Sequence, residues 1–363
     1  MEDFKIGGLE LTVASLFKGL SKEKYEPSIW CIAGGGQLAE KFIRKNKKIK
    51  ILNLKTYHNP LNIIKLASLI RIQKFHIVHT HGYYASTMGR IAAFLARTPI
   101  IVAHVHTTYW KFKKRHLRIE KELSKITDRI ICCAKAVEDF VISNEKISPE
   151  KATTIYNGIH YQKWEGKETE PYPSVKEMVQ IGITASLVEN KGHKYLLDAL
   201  SKIVKKHHNV KLNIIGDGPL KNQLTDQAKR LGISDKTEFF GIVNDVQTIL
   251  KNCDIFVLPS ISREGLSIAI IEALWLAKPV IASDIGGNKE LVENGVNGYL
   301  VPPKDSDSLA EKLEILIGNR EQGRMMGLEG NKKFKKNFDA DLMIKKIERL
   351  YDSLLDNKNI RIN

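Results

Sequence analysis

The chain has 363 residues and a mass of 41.1 kDa; 43% of residues are hydrophobic and 27% charged, with a mean hydropathy of −0.23. This excludes a disordered chain, a collagen-like repeat and a disulfide scaffold, and no apolar run reaches the roughly 18–20 residues that span a bilayer. The net charge of +16 is one-sided: residues 1–165 hold 28 Lys and Arg against 14 Asp and Glu, residues 166–330 hold 20 against 22, and residues 331–363 hold 9 against 5. A basic half beside a near-neutral half points to a partner that carries phosphate.

Gly7-Gly8 opens the first helical stretch, where Leu9, Val13, Leu16, Phe17 and Leu20 share one face. Short β-branched runs then recur. In the first half the predicted strands are 28–33, 49–54, 76–81, 99–105, 129–133 and 153–156. In the second half they are 179–187, 210–215, 237–240, 255–259, 279–283 and 298–301. Helical periodicity fills the gaps between them, so the expected class is α/β, with parallel sheets covered on both faces. Two such series predict two doubly wound domains, 1–165 and 175–330, joined by the polar stretch 163–174 with Pro171 and Pro173. The four cysteines, Cys31, Cys132, Cys133 and Cys253, show no CxxC spacing and read as buried reduced thiols. No His/Cys cluster has zinc spacing, so no metal site is expected. The acidic start Met1-Glu2-Asp3 gives no secretory signal, and a cytoplasmic location is expected.

In doubly wound folds ligands bind beyond the carboxyl ends of the strands, where helix N-termini aim amides outward. Several loops fit this position. Gly216-Asp217-Gly218 follows the run 210–215, Gly286-Gly287-Asn288 follows 279–283, and Lys191 follows 179–187 and opens a helix. Taken alone, each reads first as an ordinary tight turn or a solvated charge. None matches a Walker or dinucleotide fingerprint.

The segment 260–278 carries the most information. Its helix, Ile268 to Ala277, is apolar on nearly every side and must be buried. Glu272 interrupts it, and an unpaired buried carboxylate is costly. Glu264 stands eight residues earlier. If the helix extended back that far, the two would be separated by about 12 Å of rise and about 80° of rotation. Such a pair can accept hydrogen bonds from two ends of a polyhydroxylated ligand; it can equally be a capping Glu plus an ion-paired core Glu. Asp305-Ser306-Asp307 follows two prolines and precedes a helix, which makes Asp305 an N-cap rather than a metal-binding DxD.

Taken together, Glu264 through Glu272, Asp254-Ile-Phe-Val-Leu-Pro-Ser260, Lys278-Pro-Val-Ile-Ala-Ser283, Gly286-Gly287, Gly295-Val-Asn-Gly298 and Val301-Pro-Pro303 resemble glycosyltransferase family 4. Upstream, Gly7-Gly8-Leu9-Glu10, His79-Thr-His81, His106 and Tyr156-Asn157-Gly158 fall in the family's order. The resemblance implies a GT-B fold of two facing Rossmann-like domains, with helices from 331–363 crossing back to the first. It also implies a retaining transferase that uses a nucleoside-diphosphate sugar and no metal. By the same resemblance Glu264, His106 and Lys191 are catalytic. Glu264 would contact hydroxyls of the donor sugar, and His106 would sit beside the reacting sugar. Glu272 would hold the ribose. Gly265, Leu266, Ser267, Ser186, Gly216, Gly241, Gly287 and Asn288 would line the donor, and Lys191 with the amides near Gly7, Gly8 and Gly286–Asn288 would offset the diphosphate charge. His79 and His81 are read evenly as structural or as lining the cleft.

Two departures from the family pattern matter. Ser186 stands where many members carry an Arg, which keeps open a catalytically weak or inactive donor-binding protein. Only six residues precede Gly7, so the central first strand of the first domain is expected to be missing. A basic stretch, Lys111, Lys114, Arg115, Arg118, Lys121 and Lys125, runs beside an apolar stripe of Phe112, His116, Ile119, Leu123 and Ile126; Lys41, Arg44, Lys45, Lys47, Lys48 and Lys50 form a second cluster. Residues 111–125 therefore read either as a dock for an anionic membrane surface near a glycan or lipid-linked acceptor, or as a solvated face. No nucleic-acid motif accompanies the charge.

Overall fold

In the computed structural model, residues 1–360 are described apart from 6, 46–47, 55, 58, 109–112, 161–177, 244 and 263. The polar stretch 163–174 lies outside the described residues. The chain divides into two compact units, Met1–His160 with Asp339–Asn363, and Tyr161–Phe338.

The first unit holds β1 (Ile29–Cys31) and β2 (Ile49–Ile51) as a parallel pair. A four-stranded parallel sheet is formed by β3 (Ile77–His81), β4 (Ile100–Val105), β5 (Arg129–Cys132) and β6 (Ala152–Thr154). Among the described residues no strand joins the two sheets. The extended residues Met1–Phe4 instead lie along β1 and the stretch after it. Ile32 N donates to Met1 O at 3.0 Å, Ala33 N to Glu2 O at 2.8 Å and Phe4 N to Gly35 O at 3.2 Å. Helices α1 (Gly8–Gly19), α2 (Gln37–Ile43), α3 (Pro60–Gln73), α4 (Tyr83–Leu95), α5 (Lys114–Ser124) and α6 (Lys135–Ser143) connect the strands.

The second unit is a six-stranded parallel sheet of β7 (Val179–Thr184), β8 (Val210–Ile215), β9 (Thr237–Gly241), β10 (Ile255–Leu258), β11 (Val280–Ser283) and β12 (Gly298–Val301), in the order β12-β11-β10-β7-β8-β9. Its helices are α7 (His193–Ile203), α8 (Lys221–Arg230), α9 (Val246–Lys251), α10 (Ile268–Trp275), α11 (Asn288–Leu291), α12 (Ser306–Gly318) and α13 (Arg320–Asn337). The β7, β8 and β10 residues that pack under α7 and α12 are fully buried Ile, Leu and Val, which is why the strands read as β-branched runs.

The expected crossing at residue 331 moves to 339. Helix α13 stays with the second unit because its glycines seat it on α10: a Cβ on Gly327 would lie 1.9 Å from Ala277 O, and one on Gly330 2.8 Å from Leu274 Cδ2. Asp339 then caps α14 (Ala340–Asn357) by accepting from Asp341 N. This last helix buries Ala340, Met343, Ile344 and Ile347 against Leu16 and Leu20 of the first unit.

Candidate active site

Along the six-stranded sheet the chain order reverses between β7 and β10. At such a switch point the loops leaving the two strands diverge and open a crevice at their carboxyl ends. The loop after β7 passes the exposed Ser186, makes a 3-10 turn over Glu189–Lys191 and ends at Gly192. Gly192 has φ +70°, and a Cβ there would stand 1.9 Å from Pro259 O, so only glycine lets the two loops approach. Ile261 N donates to Asn190 O at 2.8 Å and ties them together. The result is an ion pair across the switch point: Lys191 Nζ lies 2.6 Å from Glu264 Oε1, which also accepts from Ser260 Oγ at 2.5 Å. Glu264 is 5% exposed, and this charge-assisted pairing offsets its desolvation.

Other expected residues gather on the same edge. A Cβ on Gly286 would meet Glu264 O at 2.0 Å, so the loop after β11 lies against Glu264. Gly287 precedes Asn288, whose Nδ2 donates to Ser283 O at 3.0 Å while its buried Oδ1 has no hydrogen-bond partner. Gly216 packs on Ala185 O and donates to Gly241 O at 2.9 Å.

The helical extrapolation to Glu264 fails. Ser267 caps α10 by accepting from Ile270 N at 3.4 Å, and Gly265 and Leu266 form a bend before it. Glu264 therefore sits on a loop, and its geometry to Glu272 does not follow helix rotation. Glu272 itself is buried in α10. Burial pushes its carboxyl up to about 7, and a hydrogen bond with Gln247 pulls the other way. His193, not singled out from sequence, is the first residue of α7, buried, with neither ring nitrogen hydrogen-bonded. Burial and then the Lys191 charge lower it to about 4. Its place beside Lys191 at a helix start was the available signal. Asp305 caps α12, accepting from Asp307 N at 3.0 Å and Ser308 N at 2.9 Å.

In the first unit, Gly7 is the N-cap of α1 and Gly8 its first residue; the Glu10 side chain folds back over Gly7. His106 follows β4. The parallel register sets His81 opposite His104, and period-2 alternation puts His79, His81, His104 and His106 on one face. His81 Nδ1 lies 3.0 Å from His106 Nε2, and Asn157 Nδ2 lies 3.4 Å from His106 Nδ1. Burial lowers His79 and His106 to about 3 and holds His81 and His104 well below 6.5, so all four rings are neutral at pH 7.

The basic stretch forms α5. Lys113, Lys114, Arg115, Arg118, Lys121 and Lys125 are exposed. Lys111 and Phe112 lie outside the described residues. The apolar stripe is shorter than expected: Leu123 is buried, but Ile119 is 39% exposed. What seats the helix is a charge. Glu120 Oε2 accepts from Arg90 Nη2 of α4 at 2.6 Å, and both residues are buried. Among the described residues, no helix is long and apolar enough to cross a membrane.

Comparison with known proteins covers both units. Residues 167–333 match the family described as Glycosyl transferases group 1, and residues 6–163 match Glycosyltransferase Family 4. The chain is 29% identical over 321 residues to the UDP-Gal:alpha-D-GlcNAc-diphosphoundecaprenol alpha-1,3-galactosyltransferase of Escherichia coli, covering 84% of this chain and 82% of that protein. It is 28% identical over 310 residues to the capsular polysaccharide biosynthesis glycosyltransferase CapM of Staphylococcus aureus, covering 81% of each. Its fold is similar to that of Anabaena HepE, crystallised in complex with UDP and glucose, with a TM-score of 0.84 at 22% identity over 97% of this chain and 98% of that one. The architecture is GT-B.

Proposed function

The chain belongs to the family 4 glycosyltransferases, and on that premise we propose that it moves a hexosyl group, with retention of anomeric configuration, from a nucleoside-diphosphate sugar to a glycan or lipid-linked acceptor in polysaccharide synthesis. One observation carries this reading: the Lys191–Glu264 pair, held across the switch point of the six-stranded sheet with Ser260 as third partner. As the glycosidic bond breaks, the leaving nucleoside diphosphate gains negative charge, and a pre-placed ammonium stabilises that charge without reorganisation. Glu264 accepts from hydroxyls of the donor sugar, Glu272 accepts from the ribose hydroxyls, and Gly287 offers its amide at a helix start, the Asn288 amide being already donated to Ile285 O at 3.1 Å. No metal contacts the donor diphosphate in this scheme, and transfer is expected to persist in EDTA. The E. coli relative's substrates support a uridine donor and a polyprenyl-diphosphate-linked acceptor.

The test is nucleotide release from UDP-, GDP- and ADP-sugars, with Glu264→Gln as control and proton NMR of the product for its anomeric configuration. Release from one donor class, lost in the variant, with the configuration kept, supports the proposal. Donor binding without turnover favours an inactive binding protein, a reading that the exposed Ser186 keeps specific, since it supplies no second cation beside Lys191. The exposed cations of α5 support docking on the inner face of an anionic membrane. Binding to anionic vesicles should fall steeply with salt and should be lost when Lys114, Arg115, Arg118 and Lys121 are replaced by Gln.

The pH dependence follows from Glu272. Ribose hydroxyls donate to the ionised carboxylate, so donor binding displaces a proton from a group that titrates near 7. The donor KM is expected to rise as pH falls below about 7, and Glu272→Gln should flatten the profile. Stability runs the other way. The folded carboxyl titrates above its ordinary 4.5, so this group's contribution is fully present below pH 4.5 and is lost between 4.5 and about 7.

A further inference from the structure

We propose that His79, His81 and His104 form a buried site for one late-transition-metal dication, with zinc as the fitting occupant, set directly against His106. One ring nitrogen of each of the three lies within 4.8 Å of the others. A tetrahedral zinc with bonds of about 2.0–2.1 Å needs nitrogens about 3.3 Å apart, so the rings close by up to about 1.5 Å on binding.

Three features distinguish this group from ordinary core histidines. His104 is 2% exposed, and neither of its ring nitrogens has a hydrogen-bond partner; His79 Nε2 is buried and unpartnered as well. Buried polar atoms are almost always satisfied, so an unpaired nitrogen on each of two neighbouring rings of one face calls for a common ligand. His79 Nδ1 lies 2.6 Å from Tyr351 OH, whose oxygen can accept from Nδ1–H. That contact fixes the ring and leaves Nε2 as the donor atom, as the outer partners of metal-bound histidines do. Finally, all the ligands are imidazoles, a set that suits zinc, copper or nickel rather than magnesium or calcium. The sequence motifs His79-Thr-His81 and His104-Val-His106 show none of the spacing of a zinc motif because the site is made by register between β3 and β4. Occupancy acts on His106 through the 3.0 Å contact from His81 Nδ1 to His106 Nε2.

The test uses the full chain, stripped with chelator and titrated with Co2+, whose visible d–d absorption reports low-coordinate nitrogen ligation, followed by displacement with Zn2+. One equivalent of Co2+ per chain should bind and be displaced by Zn2+. His104→Ala should abolish the band, Tyr351→Phe should weaken binding about 10- to 100-fold, and His208→Ala, at an exposed histidine elsewhere, should leave it unchanged. Circular dichroism of the metal-free variants controls for folding. If His104→Ala does not fold, Tyr351→Phe decides. Absence of a stoichiometric band in the wild type, a band unaffected by both His104→Ala and Tyr351→Phe, or one lost in His208→Ala would overturn the proposal.

Discussion

Lys191→Ala is expected to lower kcat for sugar transfer by about 100- to 1,000-fold, with a smaller change in donor KM. That is the range for removing one pre-placed group that stabilises charge developing in the transition state. The lysine reaches its place through two loop contacts: Gly192 against Pro259, and Asn190 O accepting from Ile261 N. The variant leaves Glu264 buried with only the Ser260 hydroxyl of its two side-chain partners, so some loss of stability accompanies the loss of rate. Thermal unfolding of the same variant separates the two effects. Because Lys191 and Glu264 act as a unit, the double variant Lys191→Ala/Glu264→Gln should lose less than the product of the single losses. Steady-state kinetics of the four proteins in this cycle check the claim. Multiplicative losses, or an unchanged kcat for Lys191→Ala, would remove the pair from the mechanism.

Arg90→Met is expected to destabilise the first unit by about 3–5 kcal/mol, the range for removing one partner of a buried ion pair. Arg90 is 1% exposed, with Nη2 on Glu120 at 2.6 Å and Nε donating to Ser86 O at 3.3 Å. Glu145 is buried nearby and lines the same cavity of about 20 Å³. Burial, with the Glu120 charge second, pushes Glu145 up to about 8 against the pull of Arg90. Removing the guanidinium leaves two carboxyls facing each other without a cation. Changing both partners, Arg90→Met with Glu120→Leu, should recover most of the loss, since a buried pair replaced by apolar groups is often near neutral. Urea unfolding at pH 7 measures both. The pH sign is also set: Glu145 titrates above its ordinary 4.5 in the folded chain, so stability should decline between pH 4.5 and about 8 in the wild type. Equal destabilisation in the single and double variants would show that the pair matters only as packing. Since Glu120 is the inward anchor of α5, the single variant should also weaken binding to anionic vesicles.

What could be read along the chain was whatever depends on near neighbours. All twelve predicted strands are present, and 210–215 and 298–301 match their limits, because their core-facing residues Val210, Leu212, Ile214, Tyr299 and Val301 are apolar. The Asp305 cap was legible because the amides that donate to it lie two and three residues away. The order of motifs around Glu264 and Glu272 was enough to place the chain in its family. Helix α10 begins at Ile268 as read from the sequence, and the Ser267 hydroxyl that caps it keeps helical geometry from reaching back to Glu264.

Pairings between distant residues had no such local trace. Lys191 meets Glu264 across 73 positions, Arg90 meets Glu120 across 30, and His81 faces His104 only through the β3–β4 register. Their partners are chosen by which strands sit side by side. Their energies arise from desolvation, which exists only once the rest of the chain has excluded water. The strands, the cap and the family were therefore set by the sequence alone. Tertiary packing decided which buried charges are paired and which imidazoles converge.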